Sequence, residues 1–341
     1  MIYKVGIVGY GVVGKKRHGV LNKISDFDVV AVSDKSFDDQ TKLTSVTCYL
    51  DYKDLINSEE IDVLFVSLPN YFAADATLMA LNKDIHVFCE KPPARTLEEL
   101  YPIQSVVKGS NLKLMYGFNH RFHLSVSKAK KIIDEKSLGE VINLKGVYGK
   151  SKMISFNQTD WRTNREMSGG GILLDQGIHM LDLMNYFVGG FNNIFSLIKN
   201  SFWNFDVEDN AFVLMENNNG VVAQLHSSAT QWRHTFSLEI TLERGSILLG
   251  GILSSSKTYG KETLKIIFSD PNNDKGDPRE EVLSFDEDVS WDLEVLSFTD
   301  AIRNSANIVS GSIDQAIEIM DLIEKIYKSD PKWKEKHYQN D

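Results

Sequence analysis

Cysteine is nearly absent from this chain. It occurs twice, at Cys48 and Cys89, so neither a disulfide framework nor a cysteine-built metal site is expected, and a reduced, cytoplasmic setting fits. Positive charge is also short: 37 Lys and Arg stand against 47 Asp and Glu, a net charge of −10. That balance argues against a nucleic-acid partner. No apolar run approaches the roughly 18 residues of a membrane span, so no membrane partner is expected. The opening Met1-Ile2-Tyr3-Lys4-Val5 enters a strand pattern at once and does not read as a signal peptide. Internal repeats and low-complexity tracts are missing. What remains has the composition of a soluble globular protein of 341 residues, enough for two domains. The charged tail from Lys328 is expected to fray, apart from Trp333 and Tyr338.

Against that background, the first third of the chain is strongly patterned. Val5 to Val8 is a continuous apolar run, as a buried parallel strand requires. Gly9-Tyr10-Gly11-Val12-Val13-Gly14 follows directly, and a helical stretch runs from about Val12 to Lys23. Strand, glycine turn and helix in that order form the dinucleotide fingerprint. Gly9 serves the tight turn, Gly11 the approach of a pyrophosphate, and Gly14 the packing of helix on strand. The anion rests on the helix N-terminus. A second strand, Val29 to Ser33, ends in Asp34, which can accept hydrogen bonds from ribose hydroxyls and would repel a 2′-phosphate. NAD is therefore expected in preference to NADP, although Lys35 and Ser36 could both greet a phosphate.

Strands then alternate with helices: Ile61–Leu68, a helix from Pro69-Asn70 to Leu81, and Ile85–Cys89. A capping box at Thr96–Glu99 opens a helix to Lys108, and Leu112–Phe118 is expected as the sixth strand. This is the pattern of a doubly wound parallel sheet, with ligands beyond the carboxyl ends of its strands. Gly9, Asp34, Pro69, Lys91 and Asn119 fall at those ends. Lys91, stiffened by Pro92, could hydrogen-bond or relay a proton beside a nicotinamide; an ordinary surface lysine is the alternative.

After Arg121 the pattern changes to a mostly antiparallel, open sheet with helices on one face. Its expected strands run from Val141–Tyr148 to Leu264–Phe268, and Asn217–Gly220 reads as a hairpin turn. The expected domains are residues 1–120, binding the dinucleotide, and 121–341, binding substrate and forming a homodimer or homotetramer. Helices within 291–327 pack at the junction. Between Gly149 and Ser168 lies a long polar stretch with Phe156, Trp161, Arg162 and Arg165. Trp161 and Arg162 could stack on and pair with a hydroxylated or phosphorylated substrate; a packed Trp with a solvated Arg is the alternative.

Thr163 to Gly189 is the stretch around which the rest can be read. Gly169, Gly170 and Gly171 let the backbone approach something small, and a helical apolar pattern runs from Ile172 to Phe187. Asp175 and His179, four residues apart, would share one helix face, as an acid/base pair requires; a pair that only caps or hydrogen-bonds inside the fold is the alternative. Asp182 could extend them toward a metal face, but no second His or Cys cluster completes one, so no metal is expected.

Three motifs then coincide. Gly9–Gly14, Glu90-Lys91-Pro92 and Asp175-Gln176-Gly177-Ile178-His179 resemble, in order and spacing, those of the Gfo/Idh/MocA oxidoreductases. Gly117–Phe122 resembles the segment that opens that family's second domain, and the likeness covers nearly the whole chain. Ala73 stands near a place where many members carry a His after the matching Pro69. The look of residues 161–182 is that of bacterial sugar and nucleotide-sugar members.

The resemblance implies an NAD(P)-dependent dehydrogenase or ketoreductase acting on a secondary alcohol or ketone of a sugar, nucleotide sugar or cyclic polyol. Lys91, Asp175 and His179 are then catalytic. Gly9, Gly11, Val12, Val13, Gly14, Asp34, Lys35, Leu68, Pro69, Asn70, Glu90, Lys91 and Asn119 hold the cofactor. Arg121, Trp161 and Arg162 join Lys91, Asp175 and His179 at the substrate. Two other readings keep the dinucleotide: a glycosidase that oxidises its substrate transiently, and a non-catalytic dinucleotide-sensing regulator.

Overall fold

The computed structural model describes residues 2–38, 41, 43–152, 160–254, 259–272 and 276–338; Phe156 lies outside them. The chain divides into two units, one of residues 1–119, 166–169 and 291–320, the other of 120–165, 170–290 and 321–341.

The first unit runs β1 (Tyr3–Val8), α1 (Val12–Leu21), β2 (Phe27–Ser33), β3 (Thr47–Tyr49), α2 (Tyr52–Ser58), β4 (Val63–Val66), α3 (Asn70–Leu81), β5 (His86–Glu90), α4 (Leu100–Lys108) and β6 (Leu114–Gly117). Its sheet has the order β3-β2-β1-β4-β5-β6, and every pairing is parallel. The chain reverses its winding between β1 and β4, which opens the crevice where such sheets bind ligands. Ile7, Phe65 and Phe88 of the central strands are fully buried, as strands covered on both faces require. The expected capping box does not start α4. The helix begins at Leu100, and Glu99 reaches back to the Arg95 N–H and guanidinium, both at 2.9 Å. An arginine four residues upstream outcompetes the backbone of Thr96 for that carboxylate.

The second unit begins within a short 3-10 turn, Asn119–Phe122. It contains α5 (Leu124–Asp134), β7 (Val141–Gly149), a 3-10 turn Asp160–Thr163, and α6 (Arg165–Ser168), most of which is counted with the first unit. A five-residue π turn, Leu173–Gly177, leads into α7 (Ile178–Val188). Then come β8 (Phe191–Lys199), β9 (Asn210–Asn217), β10 (Val222–Ser228), β11 (Thr235–Leu242), β12 (Gly245–Gly250), β13 (Glu262–Phe268) and β14 (Glu280–Phe285). The eight strands are ordered β14-β13-β12-β11-β7-β10-β9-β8. All pair antiparallel except β7 with β10. At the expected hairpin, the Asn217 side chain accepts the N–H of both Asn219 and Val221 at 2.9 Å.

Three helices close the chain: α8 (Ser290–Arg303), α9 (Ile313–Ser329) and α10 (Pro331–His337). The tail therefore does not fray where expected. Asp330 caps α10 by accepting from the N–H of Lys332 and Trp333, at 2.9 and 3.0 Å, and the buried Trp333 anchors it.

Three carboxylates of the second unit are held below their ordinary range. Burial would raise Asp209, but the N–H groups of Ser201, Trp203 and Phe202 and the Asn210 amide outweigh it. Burial likewise opposes, and loses to, the His123 and Ser125 contacts at Glu262. At Asp330 it loses to the N–H groups of Ile198, Trp333 and Lys332. A depressed folded-state pKa contributes stability that is present above the unfolded values, 3.8 for Asp and 4.5 for Glu, and lost as pH falls through the folded ones. Urea midpoints should hold from pH 7 to 5 and drop steeply below pH 4. In Asp209→Asn the drop should be shallower and the midpoint at pH 7 lower.

Candidate active site

The glycine loop of the first unit is built for an anion. Gly9 has φ +84°, and a Cβ there would lie 2.4 Å from the Ser67 carbonyl oxygen. A Cβ on Gly14 would lie 2.1 Å from the Gly9 oxygen, so helix and loop touch through backbone alone. At Gly11 a Cβ would meet no atom within 4 Å. Space therefore opens in front of the α1 N-terminus, whose first turn takes no side-chain cap. These residues fit a dinucleotide pyrophosphate. Val12 and Val13, at the same N-terminus, are exposed.

Asp34 follows β2, and its Oδ1 accepts from both the N–H and the hydroxyl of Ser36, at 2.9 and 2.7 Å. Ser36 is thus committed to holding the carboxylate instead of awaiting a phosphate. Lys35 is exposed. Leu68 and Pro69 lie half-buried between β4 and α3, and buried Asn70 donates to the Ser168 carbonyl at 2.7 Å. Asn119, also buried, starts the turn after β6.

Lys91 is half-buried, immediately beyond β5. Its neighbour Glu90 does something the sequence did not suggest. Glu90 accepts the Arg17 Nε–H at 2.7 Å, and Arg17 donates its other edge to Glu294 of α8 at 2.6 Å. The guanidinium is fully buried between Phe88 and Trp291, whose ring centres lie 4.4 and 4.1 Å away. Burial alone would lower Arg17, but Glu90 and Glu294 together raise it. Glu90 is therefore fixed to α1 and α8, and with it the strand end that carries Lys91.

In the second unit, Ile178 N–H bonds back to Leu173, five residues earlier, which defines the π turn. Asp175 sits inside that turn and His179 just after it, so the simple four-residue spacing on an α-helix does not describe them. Their side chains go to different neighbours. Asp175 Oδ2 accepts the Lys150 ammonium at 2.7 Å. His179, only 4 % exposed, stacks on His120 with ring centres 3.8 Å apart and planes 13° apart. His120 Nε2 in turn lies 3.1 Å from the Tyr148 hydroxyl. Arg162 rests 4.3 Å above the Trp161 ring. Burial lowers its pKa and the Asp175 charge opposes that.

Asp182 does not extend the pair toward a metal. Fully buried, it takes a two-toothed ion pair from Arg121 at 2.8 and 2.6 Å. Among the described residues no group of His, Cys, Asp or Glu is arranged to hold a metal ion.

The start of this segment is held by Glu208, whose backbone and side chain are completely buried. Its carboxylate accepts the N–H of Gly171 and Leu173 at 2.8 and 2.9 Å, its carbonyl the N–H of Ile172 at 3.1 Å. The Tyr327 hydroxyl adds a bond at 2.8 Å. Burial raises the Glu208 pKa, while Tyr327, the backbone N–H groups of Glu208 and Gly171, and Arg165 act against it. This arrangement also explains the glycine run. A Cβ at Gly169 would lie 2.3 Å from the Arg95 oxygen, at Gly170 2.2 Å from the Tyr327 hydroxyl, and at Gly171 2.1 Å from the Glu208 oxygen. The three glycines make room for protein atoms, not for a small ligand.

Sequence reading missed Lys150, His120, Tyr148, Arg17 and Glu208 as parts of these sites. His120 stands inside the Gly117–Phe122 segment, and Arg17 is the third of three consecutive basic residues after Gly14. Glu208 carried no local signal.

An oxidoreductase family described as having an NAD-binding Rossmann fold matches residues 3–118, and the C-terminal domain of the same family matches 126–248. The D-glucoside 3-dehydrogenase of Escherichia coli is 31 % identical over 66 % of this chain and 70 % of its own length. The levoglucosan dehydrogenase of Pseudarthrobacter phenanthrenivorans is 32 % identical over 44 % of this chain, but the match spans only 38 % of that relative. A levoglucosan dehydrogenase structure with NADH superimposes with a TM-score of 0.85 at 20 % identity, covering 98 % of each chain.

Replacing Glu208 tests the cap. In Glu208→Ala the Gly171 and Leu173 N–H groups and the Tyr327 hydroxyl lose their acceptor, and each buried orphan costs about 1–3 kcal/mol. Urea unfolding should show a loss of about 3 kcal/mol or more, with a smaller loss in Glu208→Gln.

Proposed function

Because the chain belongs to the Gfo/Idh/MocA oxidoreductases, we propose that it transfers a hydride reversibly between NAD and a secondary alcohol of a sugar, nucleotide sugar or cyclic polyol. The observation that carries this reading is the placement of a buried imidazole at His179 four residues after the Asp175 carboxylate, where the π turn passes into α7. Relatives named as dehydrogenases of a glucoside and of levoglucosan support the substrate class.

The nicotinamide, when bound, supplies the two-electron acceptor or donor. This chain's residues do the rest. His179 takes the hydroxyl proton as general base, and its stack on His120 fixes the ring plane. Asp175 accepts a hydrogen bond from a neighbouring hydroxyl and so orients the sugar ring. Lys91 hydrogen-bonds the reacting oxygen. Trp161 and Arg162 offer a face and a fork to the rest of the substrate. Arg121 acts through α7, whose Asp182 it holds.

The α1 N-terminus with Gly9, Gly11 and Gly14 holds the pyrophosphate, and Asp34 holds the adenosine ribose. Ser36 is committed to the Asp34 carboxylate, so the site favours NAD over NADP. A homo-oligomer is favoured by exposed Phe195, Leu197, Phe212 and Leu214, which face the same way on paired strands β8 and β9. Two unpaired cysteines favour a cytoplasmic location. Among the described residues no helix is long and apolar enough to cross a membrane.

Two measurements test the reading. NADH formation should appear on at least one member of a panel of sugars and polyols, and His179→Asn should slow it about 10²–10⁴-fold, with NAD binding unchanged. Turnover within a few-fold of wild type would remove His179 as the base. In Asp34→Ala, calorimetric titration should show weaker NAD⁺ binding and a reduced preference over NADP⁺.

A further inference from the structure

We propose that Lys150 is a positioning residue of the reaction centre, whose ammonium group fixes the Asp175 carboxylate and keeps it ionised, so that the substrate's proton goes to His179. The inference rests on the reading of Asp175 as a substrate-side group.

Lys150 follows β7 directly, and its backbone is tied on both sides. Its N–H donates to the Ser228 carbonyl at 2.8 Å, and its own carbonyl accepts from Gln231 at 3.0 Å. β7 and β10 are the one parallel pair in this sheet, so their carboxyl ends reach the same edge. Ser227 of β10 donates its hydroxyl to the Ile172 carbonyl at 3.1 Å, where the π turn begins. One sheet edge therefore holds both Lys150 and the turn that carries Asp175. The Lys150 side chain is 8 % exposed and Asp175 25 %, and their charged atoms are 2.7 Å apart.

A buried ion pair is a poor stabiliser: an apolar pair of the same volume often does as well or better. Its use here is better sought in what it does to Asp175. An opposite charge within about 4–6 Å favours the ionised form of a carboxyl group. An ionised Asp175 only accepts hydrogen bonds. A neutral one would also donate, and would compete with the substrate hydroxyls for the same acceptors.

The other groups facing Asp175 fit this role. Arg162 approaches from the 3-10 turn at Asp160–Thr163. Tyr148 of β7 and Tyr259, ahead of β13, are pushed up, first by burial and then by neighbouring charges that include Asp175, and remain neutral donors. His234, ahead of β11, is lowered by burial and then by Lys150. Lys150 makes a direct charge contact with Asp175 at 2.7 Å, and in this reading His179 takes the proton.

The test reads the Asp175 carboxyl directly. Protein labelled with ¹³C at aspartate carboxyls is titrated by NMR, and Asp175→Asn identifies the resonance. Lys150→Met keeps the buried stem and deletes the charge; the Asp175 midpoint should rise by about one unit or more and return toward the wild-type value in Lys150→Arg. An unchanged midpoint in folded Lys150→Met overturns the inference. If Lys150→Met fails to fold, the double variant Lys150→Met/Asp175→Asn decides. Recovery of the fold supports the charge role, and continued failure makes Lys150 a packing residue only. On a polyol that wild type oxidises, the acid limb of the kcat/KM profile should move to higher pH in Lys150→Met. Absence of turnover by wild type on the whole panel would sink the dehydrogenase reading and leave the titration result standing.

Discussion

The second unit depends on one carboxylate. Glu208 sits where no water reaches it and takes the first N–H groups of the segment that leads into α7. Helix starts leave such groups without partners, and a buried start must find them within the protein. Here one side chain and its own carbonyl supply the acceptors, and Tyr327 completes the shell. The position of Asp175 and His179 follows from that cap, because both lie within about two turns of it. The glycine run exists to let Glu208 and Tyr327 come so close.

The first unit uses a related device. Arg17, on the helix that follows the glycine loop, is enclosed by Glu90 and Glu294 and by two aromatic faces. A guanidinium has the fork needed to hold two carboxylates at once. The result is that the glycine loop's helix, the strand end before Lys91 and the late helix α8 share one buried charge centre. The glycine loop and Lys91 are thereby kept in fixed relation within this unit.

Much of this was legible in the chain, for reasons that are local. The glycine fingerprint and the strand–helix alternation are short-range patterns, and the first sheet follows them. β3 and β14 escaped notice because the one is three residues long and the other is an exposed edge strand without alternation of apolar and polar residues. α10 escaped because its order comes from Trp333 and the Asp330 cap, not from propensity. At the site, Asp175, His179 and Lys91 carry recognisable spacing. Glu208 does not, since it lies 37 residues from the backbone it caps. Lys150 was invisible for a similar reason: 25 residues separate it from Asp175, and only the parallel pairing of β7 with β10 unites them. The glycine run misled for the opposite reason, because sequence cannot tell whether the close neighbour is ligand or protein.

The π turn at Leu173–Gly177 has a consequence for how this segment can vary in length. Such a turn holds one residue more than an α-helical turn of the same rise. Removing the extra residue within the turn would let the helix relax to regular winding, whereas removing one elsewhere between the cap and His179 would swing everything on one side of the deletion by about 100°. Adding one would do the reverse. Substitutions in this stretch can be absorbed side chain by side chain, but an insertion or deletion re-aims the imidazole as a whole. The spacing from Gly171 to His179 is therefore under a stricter constraint than the identity of most residues within it.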